Sequence, residues 1–332
     1  MTDDPPVRIF RDELELGSVT VSFQRTLRIP EAGLHPLPPG LGRFPLRRVS
    51  DYPDTAPAEW LTRGGVMLPI YQREAMWLSF HASEPSALQV GVGKVCAISG
   101  LPWLDYLIGE PQNYVPLPEQ PWLDGINAGH GFIRQFVAVP LGSGATVEGQ
   151  VTGEEIHGGV QLRVVGLTQD ALEQWRAAQR QSLPVYGDAF ELYGAPDGAT
   201  GAEPMGASMG LGAGGRMRQE VYADDRGLAD YDHSAGSRVF VQLCSAEQWT
   251  AITGEVPPPT PVDRDAYVHA GLPWFDFYNA DADDLTPSEI LSSVKAVGEK
   301  LGAEKKPFVP VGPDTVITLG SGGGTVVTDG KW

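Results

Sequence analysis

The sequence predicts a mainly β protein, α+β overall, with antiparallel sandwich- or barrel-like sheets and a few short helices. Three observations carry this. Apolar residues in the first half recur at every second position. Gly and Pro clusters, drawn from 41 glycines and 29 prolines, cut the chain at short intervals. Paired helix start and stop signals stand at four places, all after residue 167.

In chain order, Val19, Val21 and Phe23 alternate with Thr20, Ser22 and Gln24, and Leu88, Val90 and Val92 alternate with Gln89, Gly91 and Gly93. Residues 136–141, 147–151 and 160–167 continue the period of two, and one short helix is expected to interrupt it at 72–80, QREAMWLSF. Strands that alternate in this way place one face on a core and the other in water. Residues 1–167 are therefore expected to form a β-rich domain. Thr168 then caps a helix over Gln169–Gln181, with Leu172, Trp175 and Gln179 on one face. From Leu183 to Gly236 the pattern dissolves, so 168–236 reads as a short helix and a Gly-rich connector.

A smaller mixed α/β part is expected over 237–306. Ser245 and Gln248 form a capping box for a helix through Trp249 and Ile252, closed by Gly254. Thr260, Pro261 and Asp263 open a second helix that ends at Gly271. Thr286-Pro287-Ser288-Glu289 opens a third, with Ile290, Val294, Val297 and Leu301 on one stripe and Gly302 as the stop. Residues 307–332 form a Gly-rich tail with strand character at 315–319 and 325–328.

Lys and Arg number 24 against 42 Asp and Glu, a formal charge of −18. A field of that sign repels phosphate backbones and anionic lipid, which argues against nucleic-acid and membrane partners. No run approaches the roughly 18 apolar residues of a membrane span, and MTDDPPVRIF lacks the basic and apolar regions of a signal peptide. A cytoplasmic location is expected. Cys96 and Cys244 lie in apolar, strand-like runs and read as buried free thiols.

Several motifs imitate chemistry without its frame. Gly206-Ala207-Ser208-Met209-Gly210 matches G-x-S-x-G, with Asp230 and His233 or His269 following in a permitted order. A nucleophile elbow needs a strand before it and a helix after it, and neither flank supplies one. Gly210 to Gly215 matches G-x-G-x-x-G but again lacks the strand and helix that deliver a pyrophosphate. The Gly320–Gly324 run has no Lys-Ser/Thr. Asn279, Asp281, Asp283, Asp284 and Glu289 hint at a calcium loop, yet Asp284 stands where the turn glycine belongs, and acids before a helix N-terminus need no ion. Glu154, Glu155 and His157 have no second histidine at ligand spacing, so no metal site and no cofactor are expected.

The most distinctive feature is a Pro-Trp-[Leu/Phe]-Asp segment found three times, with Trp103, Trp122 and Trp274 two residues before Asp105, Asp124 and Asp276. In an extended chain that spacing puts indole and carboxylate on one side. Such a pair can anchor a loop and cap a turn, or offer a platform to a carbohydrate or small molecule.

The runs QREAMWLSF, KVCAISG, PQNY, PEQPWLDGINAG, RQFVAVPLGSGATVEGQVTGEE, GGVQL, LGAGGRMRQEVY, SRVFVQL, QWTAITGEVPPPTPV and AGLPWFDFY cover most of residues 65–280. Through them the chain resembles a family of uncharacterised bacterial and fungal proteins. The resemblance implies no established activity, cofactor or site residue.

The function expected is that of a non-enzymatic β-rich binding protein or a self-assembling structural one. Its ligand residues would be the three Trp/Asp pairs, and its C-terminal tail would add a strand to a neighbouring copy. The alternative is a glycoside- or ester-cleaving hydrolase. That would use Ser208 or converging carboxylates, such as Glu154 with Glu155 or two of Asp105, Asp124 and Asp276.

Overall fold

The computed structural model describes residues 7–181, 208–261, 264–278, 284–302 and 316–320. The first strands are β1 (Arg8–Phe10), β2 (Glu13–Leu16), β3 (Val19–Thr26), β4 (Leu34–His35), β5 (Gly40–Arg43) and β6 (Arg47–Arg48), followed by α1 (Ala58–Arg63). Next come β7 (Val66–Pro69), β8 (Ala75–Ala82), β9 (Ser86–Val92), β10 (Val95–Cys96), β11 (Val115–Leu117), β12 (Trp122–Leu123), β13 (Gly125–Gly129), β14 (Phe132–Pro140) and α2 (Val147–Thr152). Then follow β15 (Val160–Gly166), α3 (Gln169–Gln181), β16 (Ser208–Arg218), β17 (Ser237–Cys244) and α4 (Ala246–Thr253). The last are α5 (Arg264–His269), β18 (Trp274–Tyr278), α6 (Glu289–Ser292), α7 (Val297–Leu301) and β19 (Val316–Gly320).

Strands β1 to β17 share one sheet. Its path runs β2–β3–β8–β14–β16–β17–β15–β9–β11, antiparallel at every step. The chain leaves β11, and β12 returns to pair with β8, Trp122 opposite Ser79, so the path curls into a barrel-like ring. Inward residues from every wall meet in one core, among them Val21, Phe23, Leu78, Val90, Leu162, Leu211 and Val241. All six residues expected in the core from the alternation of β3 and β9 are at most 1 % exposed: Val19, Val21, Phe23, Leu88, Val90 and Val92.

Much of the other face of the sheet is covered as well. Helices α1 and α4 cover it at β7 and β17, burying Trp60, Met67, Cys244, Trp249 and Ile252. Val297 of α7 and Ala145 cover β14 at Val137 and Val139. Leu107, Tyr114 and Tyr231 cover Ala87 and Val165 of β9 and β15. Where it is covered, polar residues of this face are buried too, Gln24, Gln89 and Gln161 among them.

Loops packed on a sheet bring unpaired N–H and C=O groups out of water, and buried glutamines supply the partners. Gln135 Nε2 donates to Leu27 O at 2.8 Å and its Oε1 accepts from Ile29 N at 3.0 Å. Gln112 donates to Tyr114 O and Tyr222 O and accepts from Asp224 N. Gln120 donates to Trp122 O and Glu220 O and accepts from Tyr222 N. Gln150, only half-buried, exchanges both bonds with the backbone of Lys295 in the same way.

Four local expectations are corrected. Residues 72–80 are not a helix; β8 starts at Ala75, with Met76, Leu78 and Phe80 buried in the ring's core at period two. Residues 147–151 are not a strand but α2, because Thr146 Oγ1 accepts from Gly149 N at 2.9 Å and Gly153 ends the helix at φ 82°. The connector from Ser208 onward is a strand: in β16, Met209, Leu211 and Ala213 face the core. The alternate glycines admit close neighbours, since a Cβ at Gly212 would lie 2.8 Å from Ala145 O and one at Gly214 2.6 Å from a methyl of Val137. Residues 182–207 of the expected connector lie outside the described residues.

The third C-terminal helix is two pieces, α6 and α7. Val294 O is taken by Arg134 at 2.7 Å and the Lys295 backbone by Gln150, so the turn between them serves the sheet instead of the helix. Other helix signals are realised. Thr168 Oγ1 accepts from Ala171 N at the start of α3, Ser245 caps α4, and Gly254 closes α4 at φ 73°.

One sheet spans the boundaries expected at 167 and 236, since β15 pairs with β17 from Val160↔Val241 to Val164↔Ser237. β19 realises the strand character at 315–319, in parallel with β18 of the same chain, Trp274 opposite Val316. Residues 325–328 lie outside the described residues.

Replacing Gln135 with Ala strands Leu27 O and Ile29 N in the interior. At about 1–3 kcal/mol for each of the two unpaired buried groups, the variant should lose roughly 2–6 kcal/mol. Urea unfolding should show a lower midpoint with an unchanged m-value.

Candidate functional site

The first Trp/Asp pair lies on the outer face of β9, β15 and β17. Trp103 N donates to Lys94 O at 2.8 Å, which sets the chain across the β9–β10 hairpin. The indole packs on Gly91, where a Cβ would come within 2.5 Å of the ring, so only glycine permits this seat. Trp103 Nε1 donates to Asp105 Oδ1 at 2.9 Å, and Arg238 Nη1 donates to both oxygens of that carboxylate at 2.9 and 3.0 Å. Gln89, in register with Arg163 and through it with Arg238, holds Leu104 O and Tyr106 O at 3.1 Å each.

The carboxylate and guanidinium remain 61 % and 51 % exposed. An ion pair so open to water adds little stability, so its effect here is to orient the ring. Arg63, with its guanidinium 5.6 Å from the Phe240 ring, extends the surface along β17. Trp103 itself is half-buried.

The second pair repeats the contact in a dry setting. Asp124 is 3 % exposed and exchanges bonds with Gln219: its N donates to Oε1 and its Oδ2 accepts from Nε2, both at 2.9 Å. Burial pushes its carboxyl up to about 7, against the opposing hydrogen bonds from Gln219 and the Trp122 side chain.

The third pair differs again. Trp274 is fully buried, edge-on to Tyr267 at 5.9 Å with the Arg264 guanidinium 5.4 Å from its ring. The Asp276 backbone pairs with Thr318, and its side chain lies outside the described residues. The three pairs share no partner in any described contact. The structure does not bring them together.

The residues considered for hydrolysis are dispersed too. Ser208 is the first residue of β16, and its hydroxyl accepts from Gln248 Nε2 at 3.4 Å; it stands on no strand-to-helix turn. Glu155 accepts from Gly144 N, Thr146 N and Thr146 Oγ1, which closes the loop before α2. Glu154 is exposed. Glu148, which no motif singled out, is buried and accepts from His157 N, Gly158 N and His157 Nδ1 at 3.1, 2.8 and 3.2 Å.

Glu148, Arg238 and Gln219 are the site residues that sequence reasoning missed. The first lies inside EGQVTGEE, a run dense enough in acids to have marked it, whereas the other two become partners only through sheet pairing. Among the described residues no three His, Cys, Asp or Glu side chains are grouped to hold a metal ion. Of the calcium-like run, Asn279, Asp281 and Asp283 lie outside the described residues, and Glu289 is exposed at the start of α6. Among the described residues no helix is long and apolar enough to cross a membrane. No family model, no curated protein and no solved structure matches the chain.

Asp124 gives a pH signature. Folded, it keeps its proton up to about pH 7; unfolded, it releases it at the ordinary carboxylate value. The unfolded chain therefore binds fewer protons between about pH 4 and pH 7, and stability falls as pH rises through that window. Asp124→Asn, neutral throughout, should lack this slope. Urea unfolding should find the variant gaining on the parent by on the order of 2–3 kcal/mol between pH 5 and pH 8.

Proposed function

We propose that the chain is a non-enzymatic carbohydrate-binding protein, with the ligand on the surface built by Trp103, Asp105 and Arg238. One observation carries the reading: a half-buried indole is seated on Gly91 from below and held from the side by a carboxylate that a guanidinium in turn holds. A ring fixed before binding loses little freedom on binding. Its apolar face suits the C–H face of a sugar, and the open edges of Asp105 and Arg238 offer an acceptor and donors to neighbouring hydroxyls. The net charge of −18 favours a neutral saccharide over an acidic one.

Other readings gain less support. Of the carboxylates named for hydrolysis, Asp105, Asp124 and Glu155 each have their own partners. Self-assembly through the tail has no observation in its favour, because the strand at Val316–Gly320 is hydrogen-bonded to β18 of its own chain. Two buried free thiols, Cys96 and Cys244, suit a cytoplasmic setting.

Native electrophoresis through gels containing neutral polysaccharides, joined to a glycan array, tests the proposal. The protein should be retarded by at least one neutral glycan, and Trp103→Ala should weaken binding roughly tenfold or more. Asp105→Asn, which loosens the ring without removing it, should fall between the two. Absence of any glycan ligand, or equal retardation of Trp103→Ala, would overturn it.

A further inference from the structure

The outer face of β9, β15 and β17 continues past Trp103 to a second aromatic ring. Val90, Leu162, Val239 and Val241 point into the core, so Gly91, Gln161 and Phe240, side by side on these strands, share the outer face. Trp103 sits on Gly91 at one end of the row. At the other end the Arg63 guanidinium lies 5.6 Å from the centre of the Phe240 ring. Gln161, between them, is buried, with its amide turned along the sheet to Gly93 O at 2.7 Å.

Each ring is seated against a glycine. A Cβ at Gly159 would lie 2.9 Å from the edge of Phe240, as one at Gly91 would lie 2.5 Å from Trp103. Arg63, the last residue of α1, is half-buried beside this second seat. Its two Nη atoms donate to His157 O and Ile156 O, both at 3.4 Å. A guanidinium carries five N–H donors in one plane, so two long bonds of this kind orient it without using up its donors.

Two strand spacings separate Gly91 from Phe240, about 10 Å. A single sugar ring on Trp103 does not cover that distance, whereas a chain of sugars laid across the strands does. Both ends of the strip carry held groups, an indole tied to Asp105 and a guanidinium set against Phe240. Contacts held at a set spacing favour a ligand long enough to reach both, because the second contact costs little further freedom.

We propose that the ligand of this surface is a linear neutral oligosaccharide of at least two residues. It lies across β9, β15 and β17, with one ring on Trp103 and a later one against Arg63. The inference rests on the carbohydrate reading given above and adds the length of the ligand and the residue that selects it. Trp103 decides whether a sugar is held at all. Arg63 decides how long a chain is preferred, by donating to hydroxyls from a plane set against Phe240.

Calorimetry on the full chain tests this with glucose, mannose, galactose, xylose and N-acetylglucosamine and the linear di- and trisaccharides of each. In a series that binds, the trisaccharide should be held about tenfold or more tightly than the monosaccharide, the effect of hydrogen bonds to a charged group. Arg63→Gln should erase that gain and leave monosaccharide affinity at the parental value, whereas Trp103→Ala should lower affinity along the whole series. Arg63→Lys keeps the charge and the stem over Phe240 but not the planar fork, so it should stay folded and retain only part of the gain. A residue that merely sheltered Phe240 would move the unfolding temperature and not the dependence on length. No gain with length in the parent, or the full gain in either Arg63 variant, overturns the oligosaccharide site and leaves the carbohydrate reading standing. No binding anywhere in the panel overturns the inference, and a blank glycan array overturns the carbohydrate reading with it.

Discussion

A sheet wrapped in loops on its outer face must find a hydrogen-bond partner for each loop peptide that leaves water, and buried side-chain amides meet that demand here. A glutamine carries the same donor and acceptor as a peptide group, so one residue can act as an extra rung of the sheet. Gln135 ties 27–29 to β14, Gln112 and Gln120 tie 222–224 to the strands after residue 110, and Gln150 ties α7's approach to α2. Each satisfied bond contributes only about 1 kcal/mol, but each lost one exposes the full desolvation cost. The outer shell and the apolar ring therefore stand or fall together.

Carboxylates serve the same end. Glu155 and Glu148 each gather backbone N–H groups around the segment 144–158, and the tightness there explains Gly93, where a Cβ would lie 2.5 Å from the Glu148 carboxyl carbon. The Trp/Asp pairs are variants of one contact in different dielectrics. At Asp105 the carboxylate faces water and a guanidinium and is free to orient a half-buried ring. At Asp124, among the described residues, no guanidinium pairs with the carboxyl, and burial raises its proton affinity instead. At Glu220 and Tyr222 hydrogen bonding stops short: among the described residues, Glu220 Oε2 and the Tyr222 hydroxyl are buried without a partner.

Much of the frame was legible from spacing. The alternation in β3, β9, β14 and β15 reported buried walls because side chains of a strand alternate whatever lies beyond it. Caps at Thr168, Ser245 and Gly254 reported helices because capping is local chemistry. The same rules misread β8, α2 and β16. In β8 an apparent helical run gives way to pairing with β3 along its length, and in β16 glycines that look like a flexible loop are spaces for Ala145, Thr146 and Val297. The candidate site was half legible: indole and carboxylate could be placed on one side, but their burial could not.

The sequence by itself determined the β-rich class, the inward residues of β3 and β9, and the placing of Trp103 and Asp105 on one side, since each depends on neighbours within a few positions. Only the tertiary structure decided that the polar alternates of β9 and β15 are buried, that Arg238 completes the surface pair, and that Gln219 encloses Asp124. Arg238 lies 133 residues from Asp105 and Gln219 lies 95 from Asp124. Contacts that distant follow from strand order and register, and each side chain's charge, exposure and proton affinity then follows from what the sheet has brought beside it.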